Sequence, residues 1–177
     1  MAQLDTRIPP RTVLTSPVHL LAFGLGSGLS PKAPGTVGTL AAVPFAWGLL
    51  QLPLAWVLGV IVVAAWVGVY LCGESAKRLG VHDHGGIVFD EFVGYWISCL
   101  PLMPALLEVS GFQGPTAAGL LLAFVLFRIF DVLKPWPISW LDRNVDGGLG
   151  IMVDDLVAGV FAALSWVVVS RLGVSFF

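Results

Sequence analysis

The 177-residue sequence contains little charge and few cysteines. Only 11% of its residues are Asp, Glu, Lys or Arg, whereas 57% are hydrophobic. Soluble domains carry about 25% charged residues, so this composition is typical of an integral membrane protein instead. The two cysteines, Cys72 and Cys99, lie far apart in apolar sequence, which argues against a disulfide framework or a thiolate zinc site. A formal net charge of −2 argues against nucleic acid as a partner.

Long apolar stretches dominate what is present. Five can be marked, at residues 36–50, 53–72, 88–107, 116–133 and 150–170. A helix of about 20 apolar residues crosses the hydrocarbon core, and no stretch has the alternation of a barrel strand. We therefore predict an all-α, multihelical integral membrane bundle with four to five membrane-embedded helices. The first stretch is short and contains Pro44, so it either re-enters the membrane or crosses it tilted.

The links between these stretches differ in polarity. Three are long and polar, at residues 24–35, 73–90 and 131–149. The other two contain a single charged residue, Glu108. If each stretch crosses once, the polar links share one face with the N-terminus, and the positive-inside rule makes that face cytoplasmic. We expect one domain over residues 1–177, with residues 1–17 as a flexible N-terminal tail.

Pairs of adjacent acids lie near the start of two apolar stretches. Asp90-Glu91 follows Asp83-His84-Gly85-Gly86, and Asp154-Asp155 follows Asp146-Gly147-Gly148, which is a weak internal repeat. A carboxylate deep in a membrane costs about 2–3 kcal/mol or more, whereas a helix N-terminus returns about 0.3–1 kcal/mol. Magnesium would offset the remainder, because this hard cation binds carboxylate and phosphate oxygens. Alternatively, the acids are helix caps at the membrane interface.

The fourth stretch ends in charged residues on one side of a helix. Arg128, Asp131 and Lys134 recur three residues apart before Pro135 ends the helix. Asp131 is a candidate metal ligand, and the two cations are candidate phosphate ligands. The alternative is a salt-bridge ladder. Asp142-Arg143 follows and either contributes to the site or forms a solvated pair.

The glycine-rich stretch 24–36 contains Lys32 and runs into a predicted helix start. Its backbone N–H groups could cradle an anion, or its glycines could serve tight helix packing. It lacks the Gly-Lys-Ser/Thr of a Walker A loop. His84 is a minor candidate for the general acid that protonates a leaving alkoxide.

Two rival classes of function fit part of the pattern. Cys72 and Arg78 have the C-x5-R spacing of thiolate phosphatases, although Glu74 would then lie inside the phosphate-binding loop. A membrane transporter or lipid-binding scaffold also places acids at membrane depth, but an ion pathway predicts them in the middle of spans rather than at the ends.

Three strings resemble the phosphatidylglycerophosphatase A family: GSGLSPKAPGTVGTLAAVP, VHDHGGIVFDEFVG and FRIFDVLKPWPISWLDRNVDGGLGIMVDDLVAG. The resemblance implies a magnesium-dependent, all-helical phosphatase of the bacterial inner membrane. Its reaction would convert phosphatidylglycerophosphate to phosphatidylglycerol and phosphate. The family's soluble branch leaves the number of spans open. The family's acidic and basic positions would be Asp83, Asp90, Glu91, Asp131, Asp142, Asp154, Asp155, Lys32, Arg128, Lys134 and Arg143.

We therefore expect one or two Mg²⁺ ions at the cytoplasmic interface, where a lipid headgroup enters while its acyl chains stay in the bilayer. The predicted catalytic residues are Asp83, Asp90, Asp131 and Asp154. The predicted metal ligands are Asp90, Glu91, Asp131, Asp154 and Asp155. The predicted substrate-binding residues are Lys32, Arg128, Lys134 and Arg143. The nucleophile is a water activated by the metal or, alternatively, an aspartate, and membrane lipids are the expected partners.

Overall fold

A computed structural model describes residues 8–81, 84–106 and 115–172, and all regular structure within these ranges is helical. The all-α prediction is therefore confirmed for this part of the chain. The α-helices are α1 (Pro10–Thr15), α2 (Pro17–Ala22), α3 (Pro34–Leu49), α4 (Leu54–Leu79), α5 (Phe89–Ser98), α6 (Ala117–Leu133), α7 (Ile138–Asn144) and α8 (Gly147–Arg171). Short 3₁₀ segments lie at Gly24–Leu29, Leu100–Leu102 and Pro104–Leu106.

Two of these helices are long and apolar enough to cross a membrane. Helices α4 and α8 contain 26 and 25 residues, which is close to 40 Å at about 1.5 Å per residue. Helices α3 and α6, with 16 and 17 residues, reach only about 25 Å of a hydrocarbon core about 30 Å thick. Length and composition thus identify two candidate spans among the described residues, and the prediction of four to five membrane-embedded helices stays a prediction.

The third apolar stretch does not form one continuous helix. Helix α5 ends at Ser98 after ten residues, and two 3₁₀ turns follow. Pro101 and Pro104 lack the N–H groups that would extend the helix, and the Ser98 hydroxyl donates to the Tyr95 carbonyl at 2.7 Å. The helix break therefore falls in the third apolar stretch. The first stretch forms helix α3, which continues through Pro44.

Part of the predicted flexible tail is packed against the bundle. Residues 8–17 contain α1 and the start of α2, and Val13 is fully buried. Ser16 caps α2 by accepting from the His19 backbone N–H, and the buried His19 ring lies 2.8 Å from the Ser75 hydroxyl of α4. The tail prediction is thus corrected for residues 8–17, because their apolar side chains have a surface to pack on.

Helices α5 and α8 cross in direct backbone contact at two glycines. A Cβ on Gly94 would lie 2.6 Å from the Asp155 carbonyl oxygen, and one on Gly159 would lie 2.3 Å from the Gly94 carbonyl oxygen. Small residues allow such an approach between apolar helices. Asp90 precedes Gly94 by one helical turn, as Asp155 precedes Gly159, so this crossing brings both acid pairs to the same end of the bundle.

We predict that Gly159→Ala destabilises the protein by about 1–3 kcal/mol, because the added methyl group meets backbone atoms that cannot rotate away. Thermal unfolding of the purified protein in detergent measures the effect. Gly59→Ala is the matched control, since a Cβ at Gly59 in α4 would meet no atom within 4 Å. Equal melting temperatures for Gly159→Ala and the wild type would contradict the crossing contact.

Candidate functional site

The three polar links meet at one end of the bundle around a cleft of about 550 Å³. Gly35, Ile87 and Asp142 each bring one of these links to its wall. This arrangement confirms that the polar links share one side of the molecule. The charged residues of the wall are six acids and two cations: Asp90, Glu91, Asp131, Asp142, Asp154, Asp155, Arg128 and Lys134.

The two acid pairs have equivalent local geometry. The Asp90 carboxylate accepts from the Glu91 backbone N–H at 3.0 Å, and the Asp154 carboxylate accepts from the Asp155 backbone N–H at 3.0 Å. Each bond turns the first acid of a pair back onto its own helix. The weak repeat in the sequence is therefore also a repeat in structure, with one copy on α5 and one on α8.

Arg128 of α6 joins three helices at the cleft. Its Nη1 donates to Glu91 Oε1 of α5 at 3.1 Å, to the Asp131 carboxylate and, at 3.5 Å, to Thr39 Oγ1 of α3. Thr39 Oγ1 also donates to Glu91 Oε2 at 3.3 Å. The side chains of Arg128, Glu91 and Asp131 are 18%, 12% and 13% exposed, so these charges are largely withdrawn from water.

Lys134 holds the opposite wall together. It ends α6 with a φ of 41°, and this left-handed turn directs the chain out of the helix. Its Nζ donates to Asp142 at 2.5 Å and to Asp154 at 2.6 Å. Burial of the ammonium group opposes its charge, but these two carboxylates raise the pKa of Lys134 above its usual range. The residue therefore stays cationic at neutral pH.

The first turn of α3 packs against the Glu91 carboxylate, because two glycines leave room for it. A Cβ on Gly35 would lie 2.1 Å from Glu91 Oε1, and one on Gly38 would lie 2.9 Å from Glu91 Oε2. Burial and the nearby Asp131 disfavour the charged form of Glu91, whereas Arg128 favours it. An added cation near Glu91 would therefore favour its charged form.

The donor chemistry of the cleft fits a magnesium ion. Its wall carries a formal excess of four negative charges, and Asp155, only 3% exposed, lies within electrostatic range of four other acids. Among the described residues, no three Asp, Glu, His or Cys side chains converge on one point. Magnesium does not require such convergence, since it usually binds one or two carboxylates and completes its shell with water and substrate phosphate.

Several predicted site residues lie outside this cleft. Lys32 and Arg143 are exposed and are not part of its wall. Asp83 lies outside the described residues. The His84 Nδ1 accepts from the Gly86 backbone N–H at 3.0 Å, and the ring packs against Phe23 rather than lining the cleft.

The structure does not support the thiolate-phosphatase hypothesis. Cys72 is fully buried in α4, and Arg78 pairs with Glu74 at 2.7 Å on the surface. Neither Cys72 nor Arg78 lines the acidic cleft. The C-x5-R spacing here therefore spans part of one helix and does not form a phosphate-binding loop.

The glycine-rich stretch serves packing in its first half and the cleft in its second. Gly24 and Gly28 lie where a Cβ would come within 2.9 Å of Val88 and 1.9 Å of the Gly86 carbonyl oxygen. Only Ala33, Pro34 and Gly35 reach the cleft wall. The packing alternative therefore accounts for Gly24 and Gly28, and Gly35 makes room for a carboxylate.

Thr39 contacts Glu91 at the site, and sequence analysis did not identify this residue. It is fully buried and bonded to the Gly35 carbonyl at 3.0 Å as well as to Glu91. A threonine one turn after a glycine at a helix start is a weak signal, because threonine hydroxyls often bond their own helix. Only the position of α5 beside α3 gives this hydroxyl a second role.

The chain matches the sequence model of the family described as phosphatidylglycerophosphatase A over residues 20–170. It is 52% identical over 153 residues to an Escherichia coli protein named phosphatidylglycerophosphatase A, covering 86% of this chain and 83% of the relative. A Haemophilus influenzae protein of the same name is 43% identical over 154 residues, covering 85% and 87%. No solved structure matches the chain.

We predict that Arg128→Gln lowers the free energy of unfolding by about 3 kcal/mol, because it leaves Glu91 and Asp131 buried without their shared cation. Adding Glu91→Gln to this variant should recover much of the lost stability, since it removes one of the two neighbouring carboxylates that repel each other without Arg128. Thermal unfolding of the single and double variants measures both steps. A double variant no more stable than Arg128→Gln would contradict the charge argument.

Proposed function

Because the chain belongs to the phosphatidylglycerophosphatase A family, we propose that its acidic cleft hydrolyses the terminal phosphate monoester of phosphatidylglycerophosphate. The products are phosphatidylglycerol and inorganic phosphate. The observation that supports this most strongly is the meeting of two acid pairs, Arg128 and Lys134 in one cleft. Carboxylates suited to a metal and cations suited to a phosphate then lie side by side.

The charge of the cleft supports magnesium as the cofactor. A phosphate monoester carries up to two negative charges and would enter a wall that already has a formal excess of four. Coulomb repulsion opposes that approach unless further cations are bound. Asp90, Glu91, Asp131, Asp154 and Asp155 are the residues that would hold Mg²⁺. When bound, the metal supplies charge stabilisation for phosphoryl transfer.

Arg128 and Lys134 bind the phosphate in this mechanism. Each is already held at the cleft wall by carboxylates, so little side-chain entropy is lost when a phosphate takes over part of those bonds. The guanidinium offers several N–H donors in a plane, whereas the ammonium acts as a compact charge. Their task is to hold the transferring phosphoryl group in line with its nucleophile.

The chemical step exchanges one P–O bond for another. In the water route, the oxygen of water forms a bond to phosphorus while the bond from phosphorus to the glycerol oxygen breaks. Asp90 and Asp154 face the cleft and can orient the attacking water and accept its proton, and a proton returns to the glycerol oxygen. An aspartyl-phosphate route would instead use one of these carboxylates as the nucleophile.

We place this cleft at the cytoplasmic face of the bacterial inner membrane. Helices α4 and α8 could cross the bilayer, and α3, α5 and α6 would be embedded beside them. Lys77 and Arg78 end α4, which packs through Gly73 on Gly148 at the cleft end of α8, so they lie at the same end as Lys134. Cations at that end fit the positive-inside rule for a cytoplasmic face. A phosphatase cleft at that depth receives a headgroup while the acyl chains remain in the membrane.

A transporter or lipid-binding scaffold is the alternative function. An ion pathway would place ionisable groups along the middle of a span. In α4, the charged residues are confined to the last turns, at Glu74, Lys77 and Arg78. In α8, Asp154 and Asp155 lie in the N-terminal half of the helix, where they line the cleft. The clustering of charge around one terminal cleft favours the enzyme.

We predict that Asp90→Asn and Asp154→Asn each lower phosphate release from phosphatidylglycerophosphate by about 100-fold or more, because each removes a charged oxygen ligand. Phosphate release by detergent-purified protein is the measurement. Glu74→Gln is the matched control, since it removes a carboxylate from the same side of the protein outside the cleft. Turnover like that of the wild type in either aspartate variant would overturn the assignment.

We also predict that EDTA abolishes phosphate release and that added Mg²⁺ restores it. Calcium should restore less, because it prefers six to eight oxygen ligands at longer distances than magnesium does. The same assay, run after chelation and with each metal added back, measures this dependence. Full activity in EDTA would show that the acidic cleft works without a divalent cation.

A further inference from the structure

The mouth of the cleft is apolar on one side. Val132, Leu133, Trp136 and Trp140 are exposed, Leu133 by 73% and Trp136 by 79%, and in sequence they lie between Asp131 and Asp142 of the cleft wall. We call these four residues the apolar shelf. Lys134, which lies between them in sequence, turns inward and binds Asp142 at 2.5 Å. This ion pair closes residues 134–142 into a loop, so both tryptophans lie beside the mouth.

Other parts of the mouth combine polar side chains with exposed Leu149 of α8. Exposed positions on the far sides include Lys32 in the link before α3 and Asp146 before α8. The shelf therefore offers a run of four exposed apolar side chains beside the charged wall. A ligand with one charged end and one apolar end would leave the cleft in that direction.

The shelf continues into a stripe along the outer face of α6. Leu121, Val125, Ile129 and Val132 are exposed and recur at intervals of four, four and three residues. Those intervals keep them within about 80° of one another around the helix, over a length of about 16 Å. Such a stripe offers an extended acyl chain a surface that runs directly away from the cleft.

Arg143 supplies a cation at the edge of the shelf. It is exposed on α7, three residues after Trp140, so both side chains lie on one side of that short helix. Tryptophan rings prefer the headgroup level of a bilayer, where one edge is wet and the other apolar. An arginine at that level would meet a phosphodiester, whereas the cleft meets the monoester.

We propose that the apolar shelf and Arg143 bind the phosphatidyl part of the substrate, with Arg143 on the diester phosphate and the shelf and α6 stripe on the diacylglycerol. This inference rests on the proposed function. The occupant is a diacyl phospholipid because the surface combines an apolar track with a cation and joins the phosphate cleft at Lys134. It also gives Arg143 a role in substrate binding although that residue lies outside the cleft.

The test compares two lipids that share both phosphates but differ in acyl length. Dioleoyl phosphatidylglycerophosphate in mixed micelles can contact both the shelf and the α6 stripe, whereas water-soluble dihexanoyl phosphatidylglycerophosphate reaches only the shelf beside the cleft. Leu133→Ser and Trp136→Ala should raise KM for the dioleoyl lipid about tenfold and KM for the dihexanoyl lipid by less, with kcat unchanged. Arg143→Gln should raise KM for both lipids, and Arg143→Lys should recover part of the loss.

Trp66→Ala is the matched control, because Trp66 is 75% exposed on α4, away from the cleft. An equal loss in Trp66→Ala and Trp136→Ala would reduce the shelf to general membrane anchoring and overturn the proposal. So would unchanged KM values in both shelf variants. If the wild type releases phosphate from neither lipid, the proposed function itself fails.

A second copy of the chain is the competing occupant of the shelf. In that case Leu133→Ser would lower the mass of the detergent-solubilised protein measured by light scattering. That change in mass would overturn the lipid assignment. An unchanged mass together with the chain-length-dependent rise in KM is the result we expect.

Discussion

The backbone contact between α5 and α8 is the constraint on which the rest of the site depends. Gly94 and Gly159 allow each helix to approach the other's carbonyl oxygens. With the helices this close, Asp90 and Asp155 cannot avoid sharing one end of the bundle. The crowding of negative charge is thus a result of helix packing, and the remaining elements of the cleft are arranged around it.

Helix α6 supplies the positive charge that this crowding needs. Arg128 faces the acid of α5 and Lys134 faces the acid of α8, so one helix serves both copies of the repeat. Buried carboxylates with fewer cations than acids destabilise a fold. Under the proposed function, catalysis accounts for these destabilising carboxylates, since the same groups would hold a metal ion and a phosphate.

The sequence allowed the helices and the common side of their polar links to be predicted, because apolar length and link polarity are local properties. It did not reveal where α5 stops, since the effect of Pro101 depends on the turn that follows Ser98. Nor did it reveal which residues meet. Lys32 and Arg143 have the right charge but lie outside the cleft, and Thr39 reaches Glu91 only through a helix pairing that periodicity does not encode.

The bonds of Arg128 have a thermodynamic consequence for how the cleft fills. In the protein alone, Glu91 and Asp131 share this one guanidinium. Under the proposed function, a phosphate that drew the guanidinium toward itself would leave both carboxylates more able to hold a metal ion. A metal ion held by them would in turn free the guanidinium for the phosphate. Linkage requires each ligand to raise the affinity for the other by the same factor. If the cleft binds Mg²⁺ and phosphate as proposed, Arg128 would therefore make the two binding events cooperative, although neither ligand needs to touch the other.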